Sequence, residues 1–247
     1  MKILGLMSGT SMDGLDCCVA DLEINKNNLY FNIIHSDTYF YDDEMKQIIF
    51  DSVFKKSHSH DYLNDYLGNV FSVLISKILK KNKIDLISNH GQTISHIDKK
   101  YSIQISGSSI ITQKFKIPVI SDFRQDDIIN GGNGAPLMPL LDWYLFNKSN
   151  VITINIGGIS NISIIKKNKD RKNIIGFDTG PGMCLIDLYV KKYWNKGYDN
   201  DGLIASRGNI DKIMLDYLMK DHFVLKKSPK SASTEMYDSY YLSLLEK

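Results

Sequence analysis

The sequence predicts an α/β fold built as two lobes. Two stretches, residues 3–22 and 151–165, each place an apolar strand before and after a short turn that contains glycine. Short apolar strands and segments with helical spacing of apolar residues follow each stretch. Because this strand–turn–strand unit opens both halves of the chain, it indicates an internal repeat, which predicts two related lobes. We place the lobes at residues 1–135 and 136–247.

The composition is that of a folded protein with little charge bias. Its 247 residues fit one large domain or two ordinary ones, and 43% hydrophobic residues can form a real core. A net charge of +2 gives no strong field for nucleic acid or for an anionic membrane, so we expect neither partner. Three cysteines suit a reducing compartment. Because we find no signal peptide and no apolar run of transmembrane length, we expect a cytoplasmic protein.

The first glycine turn lies in Gly5–Asp16, whose sequence is Gly-Leu-Met-Ser-Gly-Thr-Ser-Met-Asp-Gly-Leu-Asp. Its glycines, Gly9 and Gly14, would let the backbone approach a phosphate, and its hydroxyl groups would donate hydrogen bonds. Asp13 and Asp16 could hold a cation, or a water bound to it. An ordinary glycine hairpin is the alternative that this stretch alone leaves open.

Polar clusters follow two of the short apolar strands in the first half. The predicted strand 84–88 ends in Asn-His-Gly-Gln-Thr, and the predicted strand 119–121 ends in Asp-Phe-Arg-Gln-Asp-Asp. In α/β folds, ligands are contacted where strands end, so we expect substrate hydrogen bonds from the first cluster. Arg124 in the second cluster suits a carboxylate or a phosphate. The alternatives are a turn with a structural histidine and a solvated loop charge.

The remaining elements are assigned from the same patterns. Strand 29–40 would complete an antiparallel meander, and the helices are predicted at residues 42–54, 62–79, 108–115, 136–146, 184–194 and 211–219. Residues 122–136 are predicted as polar and glycine-rich loops. In the second half, predicted strand 174–177 ends at Asp178, and Pro181 lies where the next helix would begin. Two glycine turns that face each other are typical of two-lobed ATPases, where they clamp the nucleotide phosphates.

Six segments of the chain resemble the anhydro-N-acetylmuramic acid kinases in their order and spacing. They are residues 5–16, 89–93, 122–124, 131–137, 155–161 and 176–182. This family belongs to the hexokinase and actin ATPase superfamily. The resemblance therefore implies a two-lobed actin/hexokinase-like (ribonuclease H-like) ATPase fold.

The resemblance also implies a reaction. The family converts 1,6-anhydro-N-acetylmuramic acid to N-acetylmuramic acid 6-phosphate with ATP, in cell-wall recycling, and water opens the anhydro bond in the same reaction. Asp178 matches the catalytic base, and a helix N-terminus beside it would keep it ionised. ATP and Mg²⁺ are expected, with Mg²⁺ held through water by Asp13 and Asp16. A homodimer is left open.

The resemblance carries over the binding residues as two sets. The nucleotide set is Gly9, Thr10, Ser11, Met12, Asp13, Gly14, Leu15, Asp16, Gly157 and Gly158. The substrate set is His90, Gln92, Thr93, Arg124 and Asp127.

The chain departs from the family in three places. Family members continue past the position of Lys247 with a glycine-rich adenosine-binding segment and an acidic residue that contacts the sugar. We therefore expect an incomplete second lobe and weak ATP use by these 247 residues alone. Pro229-Lys230-Ser231 is followed by Ala-Ser-Thr-Glu where the family has Thr-Gly-Arg-Glu, and Asn133 replaces the usual Gln.

Two other functions compete with this interpretation. One is a catalytically impaired sugar- or nucleotide-binding homologue of the same fold, which the expected truncation favours and the retained Asp178 opposes. The other is a dinucleotide-binding oxidoreductase. It is disfavoured because the first glycine turn leads into another strand instead of a helix.

Overall fold

The computed structural model describes residues 1–9 and 12–245. The chain forms two compact units. Unit 1 contains Met1–His96 and Lys100–Gly132, and unit 2 contains Ile97–Lys99 and Asn133–Lys247. The main division thus falls three residues before the predicted lobe boundary. The α/β class that the sequence predicts is confirmed, because both units combine strands with helices.

Unit 1 opens with an antiparallel meander, as predicted. Its strands are β1 (Lys2–Ser8), β2 (Gly14–Asn25) and β3 (Asn28–Phe40). Along β1 and the first half of β2, up to Val19, every second side chain is buried, and Leu4, Leu15 and Val19 are fully buried. This alternation places one face of the sheet on the core of the unit.

Two helices cover that face. They are α1 (Asp43–Phe54) and α2 (His60–Leu79). Each begins at a capping side chain, because Asp42 accepts from the Met45 N–H and Ser59 accepts from the Tyr62 N–H. Helix α2 overlaps the helix predicted at residues 62–79, and its apolar face packs on the core, where Leu63 and Leu67 are fully buried.

The remaining strands of unit 1 make the sheet mixed. The elements are β4 (Leu86–Ile97), β5 (Tyr101–Ile105), α3 (Ser108–Phe115) and β6 (Val119–Ile120). The strand order is β3-β2-β1-β4-β5, and β6 also pairs with β4. Strand β4 runs parallel to both β1 and β6.

Two predictions in this region are wrong. The strand predicted at residues 84–88 continues to Ile97, so Asn89–Thr93 lies inside β4 rather than after a strand. These polar residues can be buried because their side chains are hydrogen bonded, for example Asn89 to the Ser106 carbonyl at 2.8 Å. The predicted loop 122–136 contains a short helix, α4 (Gln125–Ile129).

Unit 2 begins with α5 and a three-stranded antiparallel sheet. The elements are α5 (Met138–Phe146), β7 (Val151–Ile156), β8 (Ile159–Ile165) and β9 (Ile175–Pro181), and the strand order is β7-β8-β9. Buried Asp142 on α5 joins the helix to the sheet, because it accepts from the hydroxyls of Thr153 at 2.7 Å and Ser163 at 2.6 Å.

Short helices follow the sheet. They are α6 (Cys184–Trp194), α7 (Lys212–Leu218), α8 (His222–Leu225) and α9 (Ser239–Leu245), with 3₁₀ turns at Arg171–Asn173, Asn200–Gly202, Ala205–Arg207 and Thr234–Tyr237. The sequence predicts α6 and α7 but not α8. Over the two described ranges, no helix combines the length and the apolar character needed to cross a membrane.

Candidate active site

The first glycine turn joins β1 to β2 in unit 1. The Met12 N–H donates to the Gly9 carbonyl at 3.2 Å, and Met12 has a left-handed backbone with φ of 56°. Thr10 and Ser11, two of the predicted nucleotide-binding residues, lie outside the described residues. The description of the turn therefore rests on Gly9 and Met12, at its two ends, and on the side chains that contact them.

Buried side chains under this turn form a hydrogen-bonded chain. The Tyr41 hydroxyl donates to Ser8 Oγ at 2.9 Å, and Ser8 Oγ donates to Gln92 Oε1 at 2.6 Å. Gln92 Nε2 then donates to the carbonyls of Gly9 and Thr93, each at 3.2 Å. Gln92 is fully buried, and this network occupies both ends of its amide. The structure thus places Gln92 as a support for the turn.

Three residues of the predicted nucleotide set contribute to packing. Leu15 is fully buried and Met12 is 8% exposed, and both side chains belong to the apolar core. A Cβ on Gly14 would lie 2.8 Å from the Tyr39 carbonyl oxygen. Glycine is thus needed at position 14 for the close pairing of β2 with β3, which the prediction of phosphate approach overlooked.

Asp13 and Asp16 are both exposed. Asp16 lies on β2, where its Oδ1 accepts from Thr38 Oγ1 at 2.5 Å. Among the residues that the structure describes, no three His, Cys, Asp or Glu side chains form a group that could hold a metal by themselves. Mg²⁺ usually keeps several waters and binds one or two carboxylates plus phosphate oxygens, so it does not need a site made of protein ligands alone. Two exposed aspartates fit this way of binding.

His90 and Arg124 are brought together in unit 1. Arg124 Nε and Nη2 lie 3.2 Å and 3.0 Å from His90 Nε2, and His90 Nδ1 lies 2.9 Å from the Gly91 carbonyl oxygen. Since a guanidinium can only donate, Nε2 must accept and the ring proton must sit on Nδ1. Burial, and then the Arg124 charge, lower the pKa of His90 to about 4. The imidazole is therefore neutral near pH 7 and holds the guanidinium in place.

The other two residues of the substrate set have separate contacts. Thr93 is partly buried on β4, and its Oγ1 accepts from Gln104 Nε2 at 3.3 Å. Asp127 is exposed in the first turn of α4, and its main-chain carbonyl accepts from the Gly132 N–H at 2.7 Å. Asp127 therefore helps to shape the start of the glycine-dense loop.

The second glycine turn, Gly157–Gly158, joins β7 to β8 in unit 2. Its carbonyls accept three N–H groups from the start of α6: Gly157 accepts from Met183 at 2.8 Å, and Gly158 accepts from Gly182 at 2.9 Å and Cys184 at 3.2 Å. The turn thus satisfies N–H groups that an isolated helix would leave without partners. All three of these hydrogen bonds run between main-chain atoms.

Asp178 lies inside β9, so the prediction that it follows a strand is wrong. Its side chain is buried, at 4% exposure, and its Oδ2 accepts from the Ala232 N–H at 2.8 Å. Its own N–H donates to the Lys230 carbonyl at 3.0 Å. The N–H groups of residues 182–184 donate to the second glycine turn, and the predicted effect of the α6 N-terminus on Asp178 stays a prediction. The main-chain amide of residue 232 does stabilise the carboxylate.

Sequence reasoning missed the residues that hold these groups. Ser8 and Tyr41 carry the first turn, and Lys230 and Ala232 flank Asp178. Ser8 was considered only as a ligand donor, and Tyr41 gave no signal. The motif Pro229-Lys230-Ser231 was noticed only because the residues after it depart from the family pattern.

The fold and these residues define an α/β protein with one glycine turn in each compact unit and a buried aspartate in the second. The sequence model of the family described as "Anhydro-N-acetylmuramic acid kinase" matches residues 1–246. The chain belongs to the anhydro-N-acetylmuramic acid kinase family.

Curated relatives agree with this assignment. The anhydro-N-acetylmuramic acid kinase of Clostridioides difficile (strain 630) is 36% identical over an alignment of 258 residues, gaps included. The alignment covers 98% of this chain and 67% of the relative. The enzyme of that name from Caldanaerobacter subterraneus subsp. tengcongensis is 33% identical, with coverage of 99% and 67%. That from Legionella pneumophila (strain Philadelphia 1) is 36% identical, with coverage of 97% and 66%. The chain spans about two thirds of the length of the curated relatives it matches.

Proposed function

We propose that this chain transfers the γ-phosphoryl group of ATP to O6 of 1,6-anhydro-N-acetylmuramic acid while water opens the anhydro bond. The product is N-acetylmuramic acid 6-phosphate, and the pathway is the recycling of cell-wall amino sugars. Family membership over residues 1–246 supports the substrate class. The observation that carries the chemistry is the buried Asp178, whose carboxylate is oriented by the Ala232 N–H.

Asp178 is the general base in this proposal. Its burial keeps bulk water away. The hydrogen bond from the Ala232 N–H to Oδ2 stabilises the ionised form, which can accept a proton from the attacking water. As water attacks the anomeric carbon, the bond from that carbon to O6 breaks, and O6 takes the γ-phosphoryl group from ATP, which leaves as ADP. The carboxylate receives the proton of the water.

The glycine turns are assigned to the nucleotide. The backbone of Gly9–Asp16 and the turn Gly157–Gly158 would contact the phosphates, each as part of its own unit in a two-lobed actin/hexokinase-like ATPase fold. Lobes at residues 1–135 and 136–247 belong to the same proposal. Asp13 and Asp16 would hold Mg²⁺ through water, and Mg²⁺ supplies charge neutralisation on the triphosphate.

Arg124 is assigned to the lactyl carboxylate of the sugar. A guanidinium already held by neutral His90 is fixed before the substrate arrives, which lowers the entropy lost on binding. Thr93 and Asp127 would frame the sugar, while Gln92 would act through the turn it supports.

We place the reaction in the cytoplasm. A homodimer, also allowed by the resemblance, can be measured by sedimentation of the 247-residue chain.

The experiment is the substitution D178N, with D216N on exposed α7 as a matched control. Loss of the base should lower kcat by about a thousandfold, while the Kd for Mg-ATP stays within about threefold of wild type. D216N should leave both values unchanged. Strong residual turnover in D178N would remove Asp178 from the base role. If wild type, D178N and D216N all fail to phosphorylate the sugar, the proposed kinase activity is contradicted.

A further inference from the structure

A buried tripeptide, Lys230–Ala232, holds Asp178 at two points. The Lys230 carbonyl accepts the Asp178 N–H at 3.0 Å, and the Ala232 N–H donates to the Asp178 carboxylate at 2.8 Å. All three residues of the tripeptide are at most 9% exposed. The direction in which the carboxylate points therefore depends on where this segment lies.

The Lys230 side chain anchors the segment to α8. Its Nζ donates to the carbonyls of Phe223 at 2.6 Å and Val224 at 2.9 Å, and it lies 4.7 Å from the centre of the Phe223 ring. The Phe223 carbonyl also accepts from the Lys226 N–H at 3.1 Å, and the ammonium group adds a charged donor to it and to the Val224 carbonyl. Lysine is seldom this buried, at 4% exposure, unless its ammonium group is bound as it is here.

Ser231 anchors the segment on its other side. Its Oγ donates to Asp98 Oδ1 at 3.1 Å, and Lys226 Nζ lies 3.1 Å from Asp98 Oδ2. The segment is thus fixed at the side chains of two consecutive residues, in addition to its contacts with Asp178. The Lys230 anchor ends on main-chain atoms of a helix.

We infer that Lys230 is a positioning residue for Asp178: by binding the last carbonyls of α8, its ammonium group keeps the Ala232 N–H on the carboxylate of the base. This inference rests on the proposed function. Lys230 itself need not touch the sugar or the nucleotide. Without its anchor, the segment would move, and the carboxylate would lose the Ala232 hydrogen bond that both orients and stabilises it.

The test compares K230M, K230R and the control K227M, which removes an exposed lysine three residues before the tripeptide. K230M keeps the apolar stem but loses the donor, whereas K230R keeps a charged donor. The first readout is amide exchange of Ala232 by NMR, which needs no turnover. The second is the dependence of kcat on pH, together with the KM for each substrate.

In K230M, Ala232 exchange should rise about tenfold or more, and kcat should fall about tenfold or more with each KM within about twofold. The acidic limb of the kcat profile should move to higher pH by about one unit, because the ionised carboxylate loses a donor. K230R should recover most of each effect, and K227M should match wild type. If K230M does not fold, K230Q is judged by the same criteria.

Two results would overturn the inference: unchanged Ala232 exchange in K230M, or a lower kcat with an acidic limb that does not move. D178N, measured beside these variants, separates the two proposals. An inactive D178N with a fully active K230M would leave the base assignment standing and reject the role of Lys230. An active D178N would reject the base assignment, whereas the exchange data would still report on the anchor.

Discussion

The described ends of the first glycine turn, Gly9 and Met12–Asp13, are supported by side chains as well as by main-chain hydrogen bonds. The carbonyls of Gly157–Gly158 instead accept from main-chain N–H groups. Ser8 and Gln92 support the first from below, with Tyr41 at the end of the network. The second receives its hydrogen bonds from the N–H groups that open α6. The same strand–turn–strand pattern is thus stabilised in two ways. Side-chain substitutions should disturb the first turn, and only changes that alter the backbone path should disturb the second.

The largest expected effect is at Gly182, under the second turn. A Cβ there would lie 2.1 Å from the Gly157 carbonyl oxygen, so the turn or α6 would have to shift. G182A should lower the free energy of unfolding by about 3 kcal/mol. Urea denaturation followed by tryptophan fluorescence reports on unit 2, because Trp143 and Trp194 both lie there.

The matched control is G197A, because a Cβ on Gly197 would have no atom within 4 Å. It should change the free energy of unfolding by less than about 0.5 kcal/mol. Equal stability of G182A and G197A would mean that the contact with α6 does not hold the second turn.

The second prediction concerns pH, which should affect unit 1 through His90. The folded protein holds the pKa of His90 at about 4, below its ordinary value of 6.5, so between these pH values the unfolded chain binds a proton that the folded protein does not. The free energy of unfolding should therefore be unaffected by His90 above about pH 6.5. It should fall by about 3 kcal/mol in total as the pH is lowered to about 4. Hydrogen exchange of β4 amides, measured at several pH values, would give this slope.

H90Q is the comparison, because a glutamine oxygen can still accept from Arg124 but does not titrate. Its stability should fall less steeply than that of wild type over the same pH range, since the remaining carboxylates and histidines titrate in both proteins. Identical slopes for the two proteins would show that His90 is not the titrating group.

The third and smallest effect is expected from Q92L. Leucine would take away the acceptor of the buried Ser8 hydroxyl and the side-chain donor to the Gly9 carbonyl, at a cost of about 2 kcal/mol. Amide exchange across β1 and β4 measures this loss in unit 1. Q113L, on the exposed side of α3, makes the same chemical change without a buried partner and should be neutral. Equal exchange in Q92L and Q113L would show that side chains do not carry the first turn.

The sequence predicted most strands and helices because apolar periodicity marks them directly. It ended the strand before Asn89 and the strand before Asp178 because polar residues interrupt an apolar run, although both strands continue. Those polar residues are buried only because distant partners satisfy them. Gln92 is paired with Ser8, 84 positions away, and Asp178 with Ala232, 54 positions away. No local pattern contains such pairs, so the support of both sites became visible only in the fold.

The most direct test of the proposed reaction follows oxygen-18 from labelled water in an extended incubation of the chain with Mg-ATP and 1,6-anhydro-N-acetylmuramic acid. Unlabelled N-acetylmuramic acid 6-phosphate in the same water controls for exchange at the anomeric carbon. If Asp178 activates water for attack on that carbon, the sugar phosphate should carry one label at the anomeric oxygen and none on phosphorus. Label in released inorganic phosphate, with no labelled sugar phosphate, would contradict the account.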